Sequence, residues 1–489
     1  MIFTHVSFWV FFMAVMLLYS FLYQKNPIRN AFLFAVSVYF YYKCGGYYFS
    51  LLLISVLINY LAGRSIEAGK SATVKKAVLF AGITFNLLLL AYFKYAYLLV
   101  EWVNHLFGAS LKVHNLLADW TNRISGSHFD AAQIMLPVGI SFFTFQAISY
   151  IVDVYRKKTP AVRNLPDFGC YLSFFPQLVA GPIVRAAEFI PQMYRRYRLQ
   201  REEFGRALFF IGSGLVKKIL VSDYISVNFV DRVFDQPALY SGFENLMAVY
   251  GYTLQIYCDF SGYTDIAAGV ALLMGFQLPL NFNSPYHAVN ISDFWRRWHM
   301  SLSAWLRDYL YIPLGGNRKG NWRTYINLMI TMLLGGLWHG ANIRFLLWGA
   351  LHGLALVLHK AWTSIFPPAK KKRRAVSFAG LLLTFHFTAF CWIFFRADDM
   401  DTVTEMIRRI FSVTPSVLLG DMMFSYNTVF AVIFAGFLAH WLPAQWKEYV
   451  CRCFVKTPVA IQLVLSVLVF LLIYQTKSSA IQPFVYFLF

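Results

Sequence analysis

The stretch AVLFAGITFNLLLLAYFKYAYLLV, residues 77–100, carries a single charged side chain, Lys94. A helix needs about 20 apolar residues to cross the hydrocarbon core of a bilayer, and this run is long enough to do so. Similar but mostly shorter apolar runs recur between residues 6 and 474. The pattern predicts an all-α, polytopic membrane protein with about 10 to 13 transmembrane helices.

The composition favours a membrane protein over a soluble one. Hydrophobic residues make up 58% of the 489 residues, charged residues 13% and aromatic residues 19%. Soluble domains average about 45–50% apolar and about 25% charged residues, whereas aromatic belts are typical of the two membrane interfaces. Because no polar stretch is long enough to form a soluble domain, we expect one integrated membrane domain.

The net charge of +20 raises the question of nucleic-acid binding. The basic residues, however, cluster in short stretches between apolar runs, such as residues 195–198 and 370–374. Cytoplasmic loops of membrane proteins carry this excess, which anionic headgroups attract. We therefore expect membrane lipids, and no nucleic acid, as partners. The six cysteines have neither metal-ligand nor disulfide spacing, so we expect no metal and no bound cofactor.

The positions of the basic residues also predict an orientation. Lys25 and Arg29 follow the first apolar run, and further basic stretches lie at residues 64–76 and 156–158. If these loops are cytoplasmic, the N-terminus lies outside. The first run has no basic region before it and no small-residue cleavage site after it, so we expect it to remain as a helix.

Two segments interrupt the alternation of apolar runs and basic loops. Residues 168–184 are apolar but contain Pro176 and the pair Gly181-Pro182, and residues 282–323 carry six basic residues around short apolar turns. Proline breaks a helix, and broken backbone persists at membrane depth only where protein or a water-filled cavity buries it. We predict that both segments are re-entrant and that the functional site lies there.

Ionisable residues inside apolar segments indicate functional sites in membrane proteins. His339, in the sequence GGLWHGAN at residues 335–342, is the strongest candidate. Glycines on both sides permit close approach, imidazole moves protons near neutral pH, and Trp338 supplies an adjoining wall. For His352 two interpretations remain, a structural role and a role beside His339. The remaining buried histidines are expected to be hydrogen-bonded within the bundle: His359, His386 and His440.

Two pairs of charged residues, Asp259 with Asp265 and Arg296 with Arg297, each allow two interpretations. Asp259 and Asp265 lie six residues apart on different helical faces, which argues against a paired-carboxylate acid–base couple. They either neutralise nearby Arg or Lys side chains or line a site. Arg296 and Arg297 either anchor the chain at the interface or hold an anionic donor, such as the phosphates of coenzyme A.

Five segments between residues 136 and 342 have the form and order typical of one family. They are LPVGISFFTFQ at 136–146, FFPQLVAGPI at 174–183, YCDFSGY at 257–263, residues 293–318, and GGLWHGAN at 335–342. By these segments the sequence resembles the membrane-bound O-acyltransferase family, and most closely its bacterial branch that serves alginate O-acetylation.

The resemblance implies a ring or crescent of helices around a thin centre built from the short and re-entrant segments. It divides the membrane domain into N-terminal helices (residues 1–130), a catalytic core (131–360) and C-terminal helices (361–489). It makes His339 the essential histidine and His299 the second one. The expected substrate-binding residues are Trp298, Arg296, Arg297, Tyr257, Asp259, Ser261, Asn342 and Trp338.

The reaction that the resemblance implies is O-acyl transfer in the inner membrane of a bacterium. The donor would be acetyl-CoA from the cytoplasm, and the acetyl group would be used to O-acetylate an exported polysaccharide. Alginate is favoured, with cellulose or peptidoglycan as alternatives, and a periplasmic or extracellular acetyltransferase is the expected partner. A non-catalytic acyl or lipid transporter and a scaffold are the competing functions, although the matched broken helices of many transporters are not evident.

Overall fold

The computed structural model describes residues 3–366, 374–412 and 416–476, and every regular element among them is a helix. This confirms the predicted all-α class. The basic stretch at residues 370–374 lies outside the described residues except for Arg374. By contacts between Cα atoms the chain forms two compact units: residues 1–199 with 270–278, and residues 200–269 with 279–489.

The helices of residues 1–199 are separated by short loops, apart from one longer connection before residue 140. They are α1 (Val6–Leu22), α2 (Asn26–Gly45), α3 (Phe49–Ala68), α4 (Ala72–Phe107), α5 (Leu116–Ser125), α6 (Ile140–Tyr155), α7 (Leu165–Ser173), α8 (Phe175–Leu178) and α9 (Ala186–Met193).

The helices of residues 200–476 include several that are only one or two turns long. They are α10 (Arg201–Leu215), α11 (Asp231–Asp235), α12 (Gly242–Leu273), α13 (Ile291–Trp295), α14 (Met300–Leu306), α15 (Gly320–His339), α16 (Ile343–Ile365), α17 (Arg374–Arg396), α18 (Met400–Ile410), α19 (Ser416–Ser425), α20 (Asn427–Trp441), α21 (Ala444–Lys456) and α22 (Val459–Thr476).

Four helical stretches in the described part of the chain are long and apolar enough to cross a membrane: Asn26–Ala68, Ala72–Phe107, Ile343–Ile365 and Arg374–Arg396. Two sharply bent helix pairs, with angles of 79° and 119°, raise the number to six. The predicted runs also include shorter apolar helices of 10 to 17 residues, among them α1 and α6. Which side of the membrane faces the cytoplasm stays a prediction.

The first broken segment is buried by protein, as its prolines require. Residues 167–184 are all buried, and the helix is interrupted at Phe174, between α7 and α8. The freed N–H of Phe175 donates to the hydroxyl of Ser37 (3.1 Å), and the side-chain amide of Gln146 donates to the carbonyl of Tyr171 (2.8 Å). Neighbouring helices thus satisfy backbone groups that the break exposes.

The second broken segment consists of short turns of helix joined by irregular backbone. Around α13 and α14 lie a 3₁₀ turn at Pro285–His287 and a π-helical turn at Arg307–Tyr311. The irregular parts pair with one another: the N–H of Asn283 donates to the carbonyl of Arg297, and the N–H of Met300 donates to the carbonyl of Asn281, both at 2.9 Å. The segment is therefore ordered although its helices are short.

Helices α15 and α16 approach each other backbone to backbone. A Cβ atom added at Gly336 would lie 2.2 Å from the carbonyl oxygen of Phe345, and one added at Gly349 would lie 2.4 Å from that of Met332. Small residues at such crossings are the usual means by which membrane helices pack closely. This crossing holds the C-terminal end of α15, where His339 lies, against α16.

We predict that Gly336→Ala destabilises the protein while Gly335→Ala does not. A Cβ at Gly335 meets only the end of the Leu306 side chain, at 3.4 Å, and alanine favours the helix. At Gly336 overpacking should lower the free energy of unfolding by about 1–3 kcal/mol. Thermal unfolding of both purified variants in detergent checks this. Equal stability of the two variants would contradict the proposed crossing.

Candidate active site

His339 is the last residue of α15 and lies in a pocket of aromatic rings. Its side chain is 3% exposed. Its ring centroid lies 4.9 Å from that of Trp338, 5.0 Å from that of Trp348 and 5.0 Å from that of Phe395, each nearly perpendicular to it. The glycine after it serves this packing: a Cβ at Gly340 would lie 2.1 Å from the ring of Phe345. The close approach that the flanking glycines were predicted to permit is made by α16 at Gly336 and Gly340.

His299 begins α14 in the left-handed region of backbone conformation, with φ of 42°, and its side chain is fully buried. Its Nδ1 lies 3.2 Å from Oδ1 of Asn281. The same oxygen accepts from the backbone N–H and from the hydroxyl of Ser301, at 3.2 and 2.9 Å. Because the N–H of Ser301 can only donate, it identifies this atom of Asn281 as the amide oxygen.

That oxygen determines the tautomer of His299. An amide oxygen accepts hydrogen bonds and cannot donate them, so Nδ1 of His299 carries the proton and Nε2 carries the lone pair. Burial lowers the pKa of the His299 imidazole to about 3, which keeps the ring neutral at physiological pH. His299 thus presents a proton acceptor at Nε2 rather than a proton donor.

The side chain of Trp338 contacts both predicted catalytic histidines. Its ring centroid lies 6.0 Å from that of His299 and 4.9 Å from that of His339. The His299 ring also contacts the Phe260 ring edge-on, at a centroid distance of 4.8 Å. The structure therefore brings together three residues that the sequence predicted for the site, with one indole in contact with two imidazoles.

His352 continues the same row of rings beyond His339. The indole of Trp348 lies 5.0 Å from His339 and 4.6 Å from His352. His352 is fully buried, and within the described residues neither of its ring nitrogens has a hydrogen-bond partner. Buried polar groups of this kind are normally satisfied by a ligand or an ordered water. This favours a role beside His339 over a purely structural role.

The acidic residues of α12 are engaged in buried ion pairs. Asp259 lies 2.5 Å from Nζ of Lys218, which also contacts Asp223 at 2.8 Å, and Asp265 lies 2.6 Å from Nζ of Lys217. The two lysines are consecutive in a π-helical stretch, Val216–Asp223, and π-helical turns recur at functional sites. The ion-pair interpretation of both aspartates is confirmed, while contact of Asp259 with substrate stays a prediction.

Two further predicted residues of α12 lie in the same buried region. Tyr257 contacts the ring of His440 at 4.5 Å and lies below the ammonium group of Lys217 at 5.9 Å. Ser261 is buried, with 2% exposure. Their predicted role in substrate binding stays a prediction.

The remaining predicted residues surround the row of rings. Trp298 is buried against Trp392 at a centroid distance of 4.9 Å, and Asn342 caps α16 by accepting from the N–H of Arg344 at 3.0 Å. Arg297 pairs with Asp293 at 3.0 Å, whereas Arg296 is exposed. Both arginines line a polar cavity of about 410 Å³, and their contact with the donor stays a prediction.

Two histidines expected to have structural roles are hydrogen-bonded as predicted. His386 lies 2.8 Å from the carbonyl of Leu382 in its own helix. His440 accepts from the backbone N–H of Tyr286 at 3.2 Å.

Asn281, Trp348 and Phe395 belong to the cluster but were not predicted from the sequence. Trp348 precedes Gly349 at the helix crossing, so two facing glycines were the signal that could have identified it. Asn281 lies 18 positions before His299, and nothing in the sequence relates the two. Their contact depends on irregular backbone that no periodicity describes.

Comparison with known proteins places these residues in a family. The model of the MBOAT, membrane-bound O-acyltransferase family, matches residues 159–397, which include both histidines, Asn281 and the helix crossing. The chain is 38% identical over 386 residues to a probable alginate O-acetylase AlgI of Pseudomonas aeruginosa, covering 78% of this chain and 70% of that one.

Two other relatives have different names. A peptidoglycan O-acetyltransferase of Helicobacter pylori is 35% identical over 417 residues, covering 79% of this chain and 74% of that one. A teichoic acid D-alanyltransferase of Bacillus subtilis is 30% identical over 281 residues, covering 53% and 68%. With these similarities and the predicted pair of histidines on one indole, the chain belongs to the membrane-bound O-acyltransferase family and is an O-acyltransferase.

Proposed function

We propose that this O-acyltransferase transfers acetyl groups from acetyl-CoA, taken from the cytoplasmic side, for the O-acetylation of an exported polysaccharide. The observation that carries the proposal is that the indole of Trp338 contacts both His299 and His339. Two buried imidazoles that share this neighbour offer the proton transfer that acyl transfer requires. We place the protein in a bacterial inner membrane, with its N-terminus outside.

In this mechanism His339 acts as the general base. It takes the proton from the attacking hydroxyl as oxygen adds to the thioester carbonyl, and it returns that proton to the sulfur as the C–S bond breaks. Transient acylation of His339 is the alternative course. Since His299 is neutral and presents Nε2 as an acceptor, we assign it to orienting the acceptor through a hydroxyl other than the attacking one, whose single proton goes to His339, rather than to protonating the leaving thiol.

The identity of the glycan is proposed from the relatives. The alginate relative and the peptidoglycan relative are 38% and 35% identical, over similar lengths. We propose alginate first and peptidoglycan second, and cellulose remains an alternative without a relative to favour it. A separate periplasmic or extracellular acetyltransferase would complete the transfer to the polymer.

We predict that His339→Ala abolishes thioester turnover. Loss of a general base costs about 10²- to 10⁴-fold in rate. The measurement uses purified protein in vesicles with radiolabelled acetyl-CoA, and follows the release of coenzyme A and the appearance of label on protein, water or an added acceptor. His105→Ala is the matched control, because His105 is exposed at the end of α4. If both variants turn over the donor like the wild type, the transporter or scaffold function must replace catalysis.

We further predict that Asn281→Leu reduces kcat by about 10²-fold or more, since it frees His299 to adopt the other tautomer. KM for the donor should change far less. Ser301→Ala is the control: it removes the hydroxyl but keeps the backbone N–H that orients the Asn281 amide, so its kcat should stay within about threefold of the wild type. Equal losses in the two variants would show that Asn281 does not act through the tautomer of His299.

A further inference from the structure

Two cavities of opposite character meet at His287. The polar cavity, of about 410 Å³, lies between the loop before α13 and α16, and Arg296 and Arg297 line it. The apolar groove, of about 710 Å³, lies between α12, α17 and α20, and its lining is almost entirely aliphatic and aromatic. His287 lines both. One ligand that reached both would need a charged part and an apolar part.

With His287 and His359 counted as neutral, the charged side chains that line the polar cavity, Asp293, Arg296 and Arg297, sum to +1. Arg297 is held by Asp293 at 3.0 Å and donates to the carbonyl of Asn283 at 3.3 Å, so these two charges cancel. Burial lowers the pKa of the His287 imidazole, which leaves this ring neutral, whereas Arg296 is exposed and supplies the uncancelled charge. One phosphodiester, with a single negative charge, matches this balance. Coenzyme A carries several phosphate charges and would leave most of them unmatched.

A further cation lies behind His287 without lining either cavity. Nζ of Lys447 donates to the carbonyl of His440 at 2.6 Å and to the hydroxyl of Ser284 at 2.8 Å, and His287 itself lies 3.3 Å from the His440 carbonyl. Lys447 therefore adds to the positive potential on an anion in the cavity while its own hydrogen bonds are already made within the protein.

The apolar groove is lined by α17, which is long and apolar enough to span a membrane, and by α20, which reaches that length only together with α19. Its lining includes Leu382 of α17 and Phe434 and Trp441 of α20, which are 41%, 70% and 41% exposed. Near its His287 end, Nε1 of Trp441 donates to the carbonyl of Tyr286 at 3.3 Å. An indole with its polar edge at the headgroup level and its body in hydrocarbon is typical of membrane interfaces.

We propose that an anionic phospholipid binds here, with its phosphate beside Arg296 and one acyl chain in the apolar groove. Basic pockets between membrane helices bind anionic lipid headgroups in this way. The site goes beyond the proposed acyl transfer and does not depend on it. It also gives Arg296 and Arg297 an occupant other than the phosphates of the donor that the sequence suggested.

The experiment compares phosphatidylglycerol with phosphatidylcholine of the same acyl chains. Purified full-length protein in detergent is titrated with each lipid, and bound lipid is counted by native mass spectrometry alongside the unfolding temperature. We expect phosphatidylglycerol to bind more tightly than phosphatidylcholine. Arg296→Ala should weaken that binding about tenfold, as expected for loss of one charge-assisted hydrogen bond. Arg318→Ala, which removes another exposed arginine, should leave it unchanged.

A second variant tests the apolar half of the site. Leu382→Trp places a larger side chain in the groove at a position that is already partly exposed, so it should fold normally and still reduce binding of phosphatidylglycerol. The proposal is overturned if the two lipids bind equally, or if Arg296→Ala and Arg318→Ala behave alike. It is also overturned if inorganic phosphate or coenzyme A alone reproduces the stabilisation that depends on Arg296.

Discussion

Helices α15 and α16 touch backbone to backbone where Gly336 and Gly349 face each other, and the reactive cluster depends on this contact. It brings Trp338 and His339, at the end of one helix, against Trp348 on the other. A side chain at either glycine would clash with the backbone of the facing helix and push the two helices apart. The contacts between the rings would then be lost. Packing and chemistry are therefore coupled here, because the residues that let the helices meet also fix the distance between the rings.

The second histidine is held by a different device. His299 lies where the chain leaves irregular backbone and starts a short helix, with a φ in the left-handed region. This conformation is retained because the side-chain oxygen of Asn281 binds both the His299 ring and the Ser301 hydroxyl. Left-handed conformations of this kind cost about 1–3 kcal/mol and persist where the surroundings over-determine them. The same amide oxygen that stabilises the turn also fixes the tautomer, so one residue supports both the backbone and the proton position.

The sequence was sufficient for the helical class and for the two broken segments, which follow from apolar runs and prolines, both local properties of a chain. The roles of His339 and His299 rest on the resemblance and stay predictions. The ion pairs of Asp259 and Asp265 could be anticipated only as alternatives, since their lysines lie 41 and 48 residues away on another helix. Asn281, Trp348 and the shared position of His287 depend on tertiary contacts, and no periodicity specifies those.

The charged groups of this protein follow two rules, and the contrast bears on how the site works. Lys218 is buried with two carboxylates around it, which is how ionised groups are retained in an apolar interior. His299 and His339 are buried as deeply, and the contacts around them include aromatic rings and, for His299, the amide of Asn281. Burial lowers the pKa of the His299 imidazole to about 3, so this ring is neutral before the substrate arrives. In the proposed mechanism, the imidazolium that forms on His339 during proton transfer would be stabilised by the developing oxyanion and by the indoles of Trp338 and Trp348, the aromatic side chains that interact best with a cation. These stabilising interactions form only in the transition state, so they contribute to catalysis and not to binding of the ground state.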